Sequence, residues 1–309
     1  MNSADLEKLV ELDSRGFLIT DSGSAGEFLQ RIEETGKVYA DFEKKLSEKK
    51  KVEVFGMFEV SSKNRIAPEL SMEAAEITEK LYGFQVHHVP GFYLTREIGL
   101  LWGGCLIGDP EQNFAVFLLR NAFRKQRRFL NYRREELLAH ELCHSVRHVL
   151  EEPLLEEYFA YQTSPSPLRR YLGNCFISDK DAWGFLLPVL LLPLAELVKA
   201  LWYPQFPSWI FWITATFYPL YLLWRNHRSR QVVAKARRIL SASAVVKQVE
   251  AVLFRCKFEE LQEFAAAKPE DVQFLAERKA EKSLRWQVIM KRFFQSEEEE
   301  QDNENRIDN

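Results

Sequence analysis

Cysteine is scarce in this sequence. Only four cysteines occur among 309 residues, and no two of them form a C-x-x-C pair: Cys105, Cys143, Cys175 and Cys256. This spacing argues against a disulfide framework and against a cysteine-ligated zinc ribbon. We therefore expect the water-exposed parts of the protein to lie in a reducing, cytosolic environment.

Signals for secretion and for nucleic-acid binding are missing as well. The first residues are polar and acidic, without an apolar segment, so we expect no cleavable secretory signal. The segment from Arg120 to Arg134 is rich in basic residues and has no acidic ones, but no aromatic platform and no known DNA-binding motif accompanies it. We expect no nucleic-acid partner. The basic segment is interpreted as a face toward anionic lipid or an acidic substrate, or as a solvated helix face.

Histidine is equally scarce, yet three of the six histidines lie in one short segment. Leucines recur there at helical spacing around the sequence His140-Glu141-Leu-Cys-His144. Residues four apart on a helix share one face, about 6 Å apart along the axis, so both imidazoles can bind one ion. Glu141 lies about 100° further round, where it can reach a water molecule on that ion. The pattern predicts part of a hydrolytic zinc site; the alternative is a surface helix in which Glu141 pairs with Arg134 or Arg147.

A hydrolytic zinc ion on two histidines needs a third protein ligand and an open position for water. Pro153 predicts that the histidine helix ends just before it and that a second helix begins there. This second helix carries two adjacent glutamates, Glu156 and Glu157, back toward the first. Either carboxylate is a candidate for the third ligand.

The segment around His140 resembles the gluzincin metallopeptidases. In that family the third zinc ligand is a glutamate on a later helix, often within a Glu-x-x-Ala sequence, and Glu157-Tyr-Phe-Ala matches this pattern. The resemblance implies that His140, His144 and Glu157 bind Zn²⁺ and that Glu141 is the catalytic general base. The second helix follows His144 sooner than in better-known members, which keeps Glu156 open as the alternative ligand.

Four other residues near the motif have expected roles. The resemblance implies a tyrosine or histidine that helps to stabilise the oxyanion, and the candidates are Tyr158, Tyr161 and His148. His148 lies another full turn along the helix, too far to close on the same ion, so we expect it to support the ligands or to lie on the surface. Cys143 is expected to face the core.

The order of the predicted elements indicates an α+β fold. By resemblance, residues 25–165 form a zincin-like catalytic domain with a small mixed sheet, an active-site helix and a glutamate-bearing helix, preceded by a flexible segment over residues 1–24. Helices are predicted over residues 25–51, as one or two, and 68–82; strands are predicted over residues 52–60, 84–89, 100–107 and 114–119.

Two features of the predicted sheet bear on the site. A turn over residues 108–111 predicts a hairpin between the last two strands. By resemblance, strand 114–119 borders the cleft and pairs with an extended substrate; the alternative is an ordinary buried strand. His87 and His88 are adjacent in the sheet region, so their side chains point in opposite directions and form a poor metal site.

Long apolar stretches are absent except between residues 183 and 224. Residues 183–203 are apolar apart from Glu196 and Lys199, and residues 208–224 carry no charge, which predicts a transmembrane helical hairpin. Basic residues flank only its outer ends, so both termini and the catalytic domain are expected to be cytoplasmic. Glu196 and Lys199 can pair or extend to the far interface. The alternatives are a buried hairpin in a soluble protein and insertion into one leaflet.

The remaining residues follow the hairpin. Residues 225–295 are predicted to form a cytoplasmic region of amphipathic helices that packs on the catalytic part or on itself. Residues 296–309 are predicted to be a disordered acidic tail.

These patterns predict an integral, two-pass membrane protein, and the resemblance to gluzincin metallopeptidases implies that its cytosolic domain is a zinc metallopeptidase that hydrolyses peptide bonds near the membrane surface. Its expected partners are a protein or peptide substrate and the lipid bilayer. One alternative is a membrane-tethered interaction protein with a structural or inactive zinc site, and another is a zinc hydrolase acting on a non-peptide bond. The sequence indicates neither the substrate nor the oligomeric state.

Overall fold

A computed structural model describes residues 3–21, 23–94, 103–109 and 114–295 of the chain. Within these residues the fold is mixed α+β, mostly helical with three small sheets. The α+β class predicted from the sequence is confirmed. The predicted acidic tail and half of the predicted turn, residues 110 and 111, lie outside the described residues.

Helices occupy most of the described chain. In order they are α1 Ser3–Ser14, α2 Ala25–Glu48, α3 Pro68–Tyr82, α4 Ala122–Lys125, α5 Arg134–Arg147, α6 Pro153–Tyr161, α7 Pro167–Leu172, α8 Asp179–Leu201, α9 Trp209–Ala242, α10 Val249–Arg255, α11 Phe258–Ala266, α12 Val272–Ala280 and α13 Leu284–Phe293. The strands are β1 Val52–Val54, β2 Phe58–Val60, β3 Gly91–Tyr93, β4 Gly104–Asp109, β5 Phe114–Leu119, β6 Arg128–Phe129 and β7 Tyr132–Arg133. The predicted helices over residues 25–51 and 68–82 are confirmed as α2 and α3.

Local signals account for the ends of these two helices. Ser24 and Glu27 form a reciprocal capping box at the start of α2, in which the Ser24 backbone N–H donates to the Glu27 carboxylate at 2.7 Å. Helix α3 begins with Pro68 at its first turn and ends at Gly83, whose φ of 70° is the left-handed conformation that glycine adopts without strain.

The three-stranded sheet has β5 in its centre. Strand β3 pairs with β5 in parallel on one side, and β4 pairs with it antiparallel on the other. The predicted strand 114–119 is therefore confirmed, but the prediction that it binds an extended substrate is wrong. Strand β4 pairs with its whole length on one side, and on the other side β3 pairs with residues 117–119 and the Tyr39 hydroxyl bonds the Ala115 backbone. In the described part of the chain, the unpaired edge of this sheet beside α5 belongs to β4.

Three other strand predictions differ from the fold. Residues 52–60 form the hairpin β1–β2 instead of one strand, because the chain turns at Phe55 and Gly56, both with positive φ. Residues 84–89 form no strand; Gln85 N–H donates to the carbonyl of Ser14 at 2.8 Å, which holds this segment against the end of α1. The strand predicted over residues 100–107 spans Gly104–Asp109, and its first residues lie outside the described chain.

One hydrophobic core joins the predicted catalytic part to the C-terminal helices. Leu142 of α5 and Phe159 of α6 belong to the same buried cluster as Val233 of α9, Phe254 of α10 and Phe264 of α11. The helices after residue 225 thus pack on the part of the chain that was predicted to be catalytic, which was one of the two sequence-based alternatives. The hydrophobic core of residues 25–165 therefore includes side chains from these C-terminal helices.

The first residues were predicted to be flexible, but their described part is a packed helix. Helix α1 buries Leu9 and Leu12, and it places Asp13 against Arg255, whose Nη2 lies 2.9 Å from Asp13 Oδ2. Arg292 of α13 also contacts Asp13. Removal of one partner from a buried ion pair of this kind strongly destabilises the folded protein. The N-terminus is therefore held by residues from the other end of the chain.

Helix α8 is the described helix that is long and apolar enough to cross a membrane. Residues 208–224 were predicted as a second crossing; from Trp209 onward they form the first half of α9, which packs antiparallel on α8. Two polar contacts join the helices: Arg225 Nη2 lies 2.6 Å from Asp181 Oδ2, and Trp212 Nε1 donates to Glu196 at 2.7 Å. Most large side chains along α8 and along this first half of α9 are exposed.

Candidate metal centre

Two consecutive helices build the candidate centre, as Pro153 led us to expect. Helix α5 carries His140 and His144 and continues into a short 3-10 turn. Glu151 then reverses the chain in the left-handed conformation, with φ of 51°, and Pro153 begins α6. This reversal lays α6 back against α5. The apolar faces of both helices enter the core, so their polar side chains meet on the opposite side.

The two histidines and Glu157 come together at the spacing of metal ligands. The Nε2 atoms of His140 and His144 lie 3.1 Å apart. Glu157 Oε2 is 3.6 Å from His140 Nε2, and Glu157 Oε1 is 3.5 Å from His144 Nε2. Tetrahedral ligands at about 2.0–2.1 Å from a zinc ion are separated by about 3.3 Å. The geometry brings together all three residues that the sequence predicted as ligands.

Glu156 takes a different position from Glu157. Its Oε2 lies 3.2 Å from Nδ1 of His144, the imidazole nitrogen that faces away from the ligand cluster. Its Oε1 lies 3.7 Å from Nε of the fully buried Arg147. Carboxylates that accept the second N–H of a metal-binding histidine fix its ring and its tautomer. The geometry therefore favours Glu157 as the ligand and Glu156 as the carboxylate that orients the His144 ring.

Arg147 connects Glu156 to the C-terminal helices. Its guanidinium donates to the backbone carbonyls of Phe254 and Cys256, the latter at 2.9 Å, and it stacks on Phe159 with 4.6 Å between Cζ and the ring centroid. Sequence reasoning considered Arg147 only as a possible partner of Glu141. The carbonyls that hold Arg147 lie far along the chain, so no local signal could have indicated this role.

Glu141 is buried beside the cluster and is held by the sheet. Its Oε2 accepts the backbone N–H of Leu106, on the unpaired edge of β4, at 2.9 Å. Burial raises the pKa of Glu141 to about 7, although this hydrogen bond and the charge of His144 oppose the rise. The alternative in which Glu141 pairs with Arg134 or Arg147 is not observed. Glu141 is thus a carboxyl group poised near neutral pH.

The two histidines have opposite proton affinities in the metal-free site. Burial and the neighbouring charge of His144 lower the pKa of His140 to about 4. Burial also acts to lower the pKa of His144, but the carboxylates of Glu156 and Glu157 outweigh it and raise that pKa to about 10. Burial disfavours the charge of Glu157, yet its contacts with His144 lower its pKa overall. A cation is therefore favoured where the three groups meet.

An open cleft leads to His140 and Glu141. Its volume is about 220 Å³, and it is lined by Gly103, Gly104, Tyr132, Glu136, Leu137, His140, Glu141 and Tyr161. Tyr161 contacts His140 edge to face, with ring centroids 4.6 Å apart. The position of Tyr132 in the cleft wall was not predicted from the sequence, because Tyr132 lies in a segment that was noted only for its basic residues.

Comparisons with family models, with curated proteins and with solved structures found no match. The roles of the site residues therefore rest on this geometry.

Other residues singled out from the sequence lie outside the cluster. Tyr158 is buried, and its hydroxyl accepts a hydrogen bond from Arg237 at 3.2 Å, on the side of α6 that faces α9. His148 is exposed and contacts the Ser145 carbonyl. Cys143 is buried in the core, as predicted. Tyr161 is therefore the remaining oxyanion candidate of the three named.

A second cavity lies at the other end of β4. Its volume is about 250 Å³, and Leu106 and Gly108 of β4 form part of its wall. Most of the other wall residues are apolar, among them Phe17, Ile32 and Val149. Gly104 at one end of the strand lines the cleft, and Gly108 lines this second cavity, so the two spaces follow the same sheet edge.

Proposed function

We propose that the protein is a membrane-anchored zinc-dependent peptidase with a zincin-like catalytic domain. The observation that supports this most is the convergence of His140, His144 and Glu157 at ligand spacing, with Glu141 beside them. Two imidazole nitrogens and one carboxylate, with an open position, form the donor set of a hydrolytic zinc site. Zinc bound there would supply a Lewis acid and a water molecule whose pKa is lowered to about 7.

Glu141 is the proposed general base. The Leu106 N–H orients its carboxylate, and its pKa of about 7 suits proton transfer at neutral pH. It takes a proton from the attacking water and passes it to the leaving amine nitrogen. Tyr161 is the proposed donor to the oxyanion, because burial raises its pKa to about 12 and so keeps its hydroxyl protonated.

The substrate is proposed to be an extended peptide that pairs with β4. The unpaired edge of β4 offers backbone N–H and C=O groups to an added strand, apart from the Leu106 N–H, which already donates to Glu141. Four residues of extended chain cover about 13 Å, which is the distance along β4 from Gly104 at the cleft to Gly108 at the second cavity. The apolar wall of the second cavity favours a substrate with an apolar side chain at that position.

Membrane anchoring is proposed through a two-pass hairpin. Helix α8, with 23 residues, is about 34 Å long, enough for a bilayer core of about 30 Å. The first half of α9 packs beside it, and the second half continues into the core of the catalytic part. The chain therefore enters and leaves the hairpin on the same side, and the basic residues at that side favour the cytoplasm.

A membrane-tethered scaffold with a structural zinc site is the competing function. Structural zinc sites have four protein ligands. Among the described residues the candidate group contains three, and the cleft opens directly onto His140. Both features favour a catalytic site.

The test is peptide cleavage by the purified full-length chain. Products from a mixture of unfolded peptides would be identified by mass spectrometry for the wild type, Glu141→Gln and, as a matched control in the turn after α5, Glu151→Gln. We expect Glu141→Gln to lose about 10²–10⁴-fold in rate with unchanged zinc content, as removal of a general base does. Glu151→Gln should cleave normally, because Glu151 is exposed and lines neither cavity. Cleavage at the wild-type rate by Glu141→Gln, or loss of its zinc, would contradict the proposed role.

A further inference from the structure

Helix α7 and the turn after it expose apolar side chains at the base of the hairpin. The exposed side chains are Leu168, Tyr171, Leu172 and Phe176. This segment is fixed to the hairpin, because Asn226 Nδ2 donates to the Tyr171 carbonyl at 2.8 Å and Phe176 contacts Phe185 of α8 with ring centroids 5.6 Å apart. The exposed apolar surface of α8 therefore continues onto α7.

A second exposed apolar residue lies at the tip of the hairpin β6–β7. Leu130, at that tip, is 60% exposed. The side chains around it in the chain are exposed and basic: Arg124, Lys125, Arg127 and Arg128. An apolar tip among basic side chains is the composition of segments that insert into an anionic lipid interface.

The two elements are joined at the mouth of the cleft. Arg169 of α7 stacks on Tyr132 of β7, with 4.7 Å between Cζ and the ring centroid, and its Nη1 lies 2.8 Å from Glu136 Oε1. Tyr132 and Glu136 both line the cleft, and Leu130 is two residues from Tyr132. The apolar side chains of α7 and the tip of β6–β7 thus flank one opening.

We infer that these elements form a lipid-docking face, made of Leu130, Leu168, Tyr171, Leu172 and Phe176 with the basic residues Arg124, Lys125, Arg127 and Arg128, that rests on an anionic membrane surface. The occupant is lipid because the face is continuous with the exposed surface of α8 and carries net positive charge at its tip. Arg127 there pairs with Glu135 at 3.0 Å, but among the described residues Arg124, Lys125 and Arg128 form no ion pair. Docking holds the mouth of the cleft at the level of the lipid headgroups. The substrates within reach are then chain segments that emerge from the same membrane.

This inference rests on the membrane anchoring in the proposed function and does not depend on the metal chemistry. The test places an environment-sensitive fluorophore on single cysteines in the full-length chain, after Cys105→Ser removes the one partly exposed native thiol. The labelled positions are Leu130→Cys and Leu168→Cys. The protein is reconstituted in phosphatidylcholine vesicles with and without phosphatidylserine, and spin-labelled lipid serves as the quencher. Zinc content and cleavage rate are measured separately on each variant.

Two further positions serve as controls. Leu190→Cys, on the exposed side of α8, reports whether the hairpin is in lipid at all. Met57→Cys is the matched control, since Met57 is 65% exposed, close to the 66% of Leu168. Met57 lies beside Phe55, which contacts Phe114 with ring centroids 5.7 Å apart, at the end of β5 away from the cleft.

The expected result is a blue-shifted, lipid-quenched signal at positions 130, 168 and 190 and none at 57. Removal of phosphatidylserine, or the double substitution Lys125→Glu and Arg128→Glu, should reduce the signal at 130 and leave that at 190 unchanged. Lipid quenching at 190 with water-exposed probes at 130 and 168 would overturn the docking face and leave the anchoring intact. Water exposure at 190 would overturn the anchoring itself. A blue shift at 130 without lipid quenching would mean that protein covers the face, which also overturns the inference.

Discussion

Glu156 and Glu157 are adjacent on one helix, and their substitution by glutamine should separate their roles. Glu157 approaches both imidazoles on the ligand side, whereas Glu156 contacts one of them, His144, at Nδ1, 3.2 Å away, and Arg147 with its other oxygen. Loss of a carboxylate that supports a metal-binding histidine lowers metal affinity about 10–100-fold, which corresponds to about 1.4–2.7 kcal/mol. We expect Glu156→Gln to weaken zinc binding within this range and to keep one zinc per chain at saturation. Glu157→Gln should exceed the range, because a ligand itself is lost.

The assay is a competition titration with a chromophoric zinc chelator, on full-length variants purified without other chelators. Glu151→Gln is the control, because Glu151 is exposed in the turn between the same two helices. A larger loss for Glu156→Gln than for Glu157→Gln would exchange the two roles. No change for either variant would mean that zinc does not bind between these helices.

Three other predictions follow from the same structure. Zinc must displace the proton that His144 holds with a pKa of about 10, whereas His140, with a pKa of about 4, is already neutral. Apparent zinc affinity should therefore rise about tenfold per pH unit between about pH 6 and 9, and a flat profile in the same titration would contradict this prediction. Tyr161→Phe should lower the cleavage rate by about 10²-fold with zinc content unchanged, as loss of one oxyanion donor does, and an unchanged rate would exclude that role. Asp13→Asn removes the ion-pair partner of the buried Arg255 and should destabilise the fold by about 3–5 kcal/mol. The measurement is thermal unfolding followed by circular dichroism, and an unchanged melting temperature would contradict the importance of this pair.

Helix α5, which carries the candidate metal ligands, could be predicted from the sequence because its signals are local. The four-residue spacing of His140 and His144 on a leucine-rich helix and the break at Pro153 are properties of neighbouring residues. The choice between Glu156 and Glu157 is not local. Adjacent helical residues point about 100° apart, so the answer depends on the angle at which α6 returns to α5, which the whole core determines.

Two failed predictions have the same cause. Helix α1 is polar enough to suggest a flexible segment, but Asp13 pairs with the distant Arg255, and Leu9 and Leu12 are buried in a cluster that includes Val288 of α13. The strand that offers a free edge beside Glu141 is β4 and not β5, because β3 pairs with the other side of β5. Strand order depends on contacts between distant segments, and a periodic pattern within one strand carries no information about them.

The central claim is that His140, His144 and Glu157 form a zinc site. The most direct measurement is elemental analysis of the purified full-length chain, of His140→Ala and of His148→Ala. We expect one zinc per chain in the wild type and in His148→Ala, since His148 is exposed and outside the cluster, and none in His140→Ala. A wild-type protein without stoichiometric zinc, or zinc that persists in His140→Ala, would contradict the account.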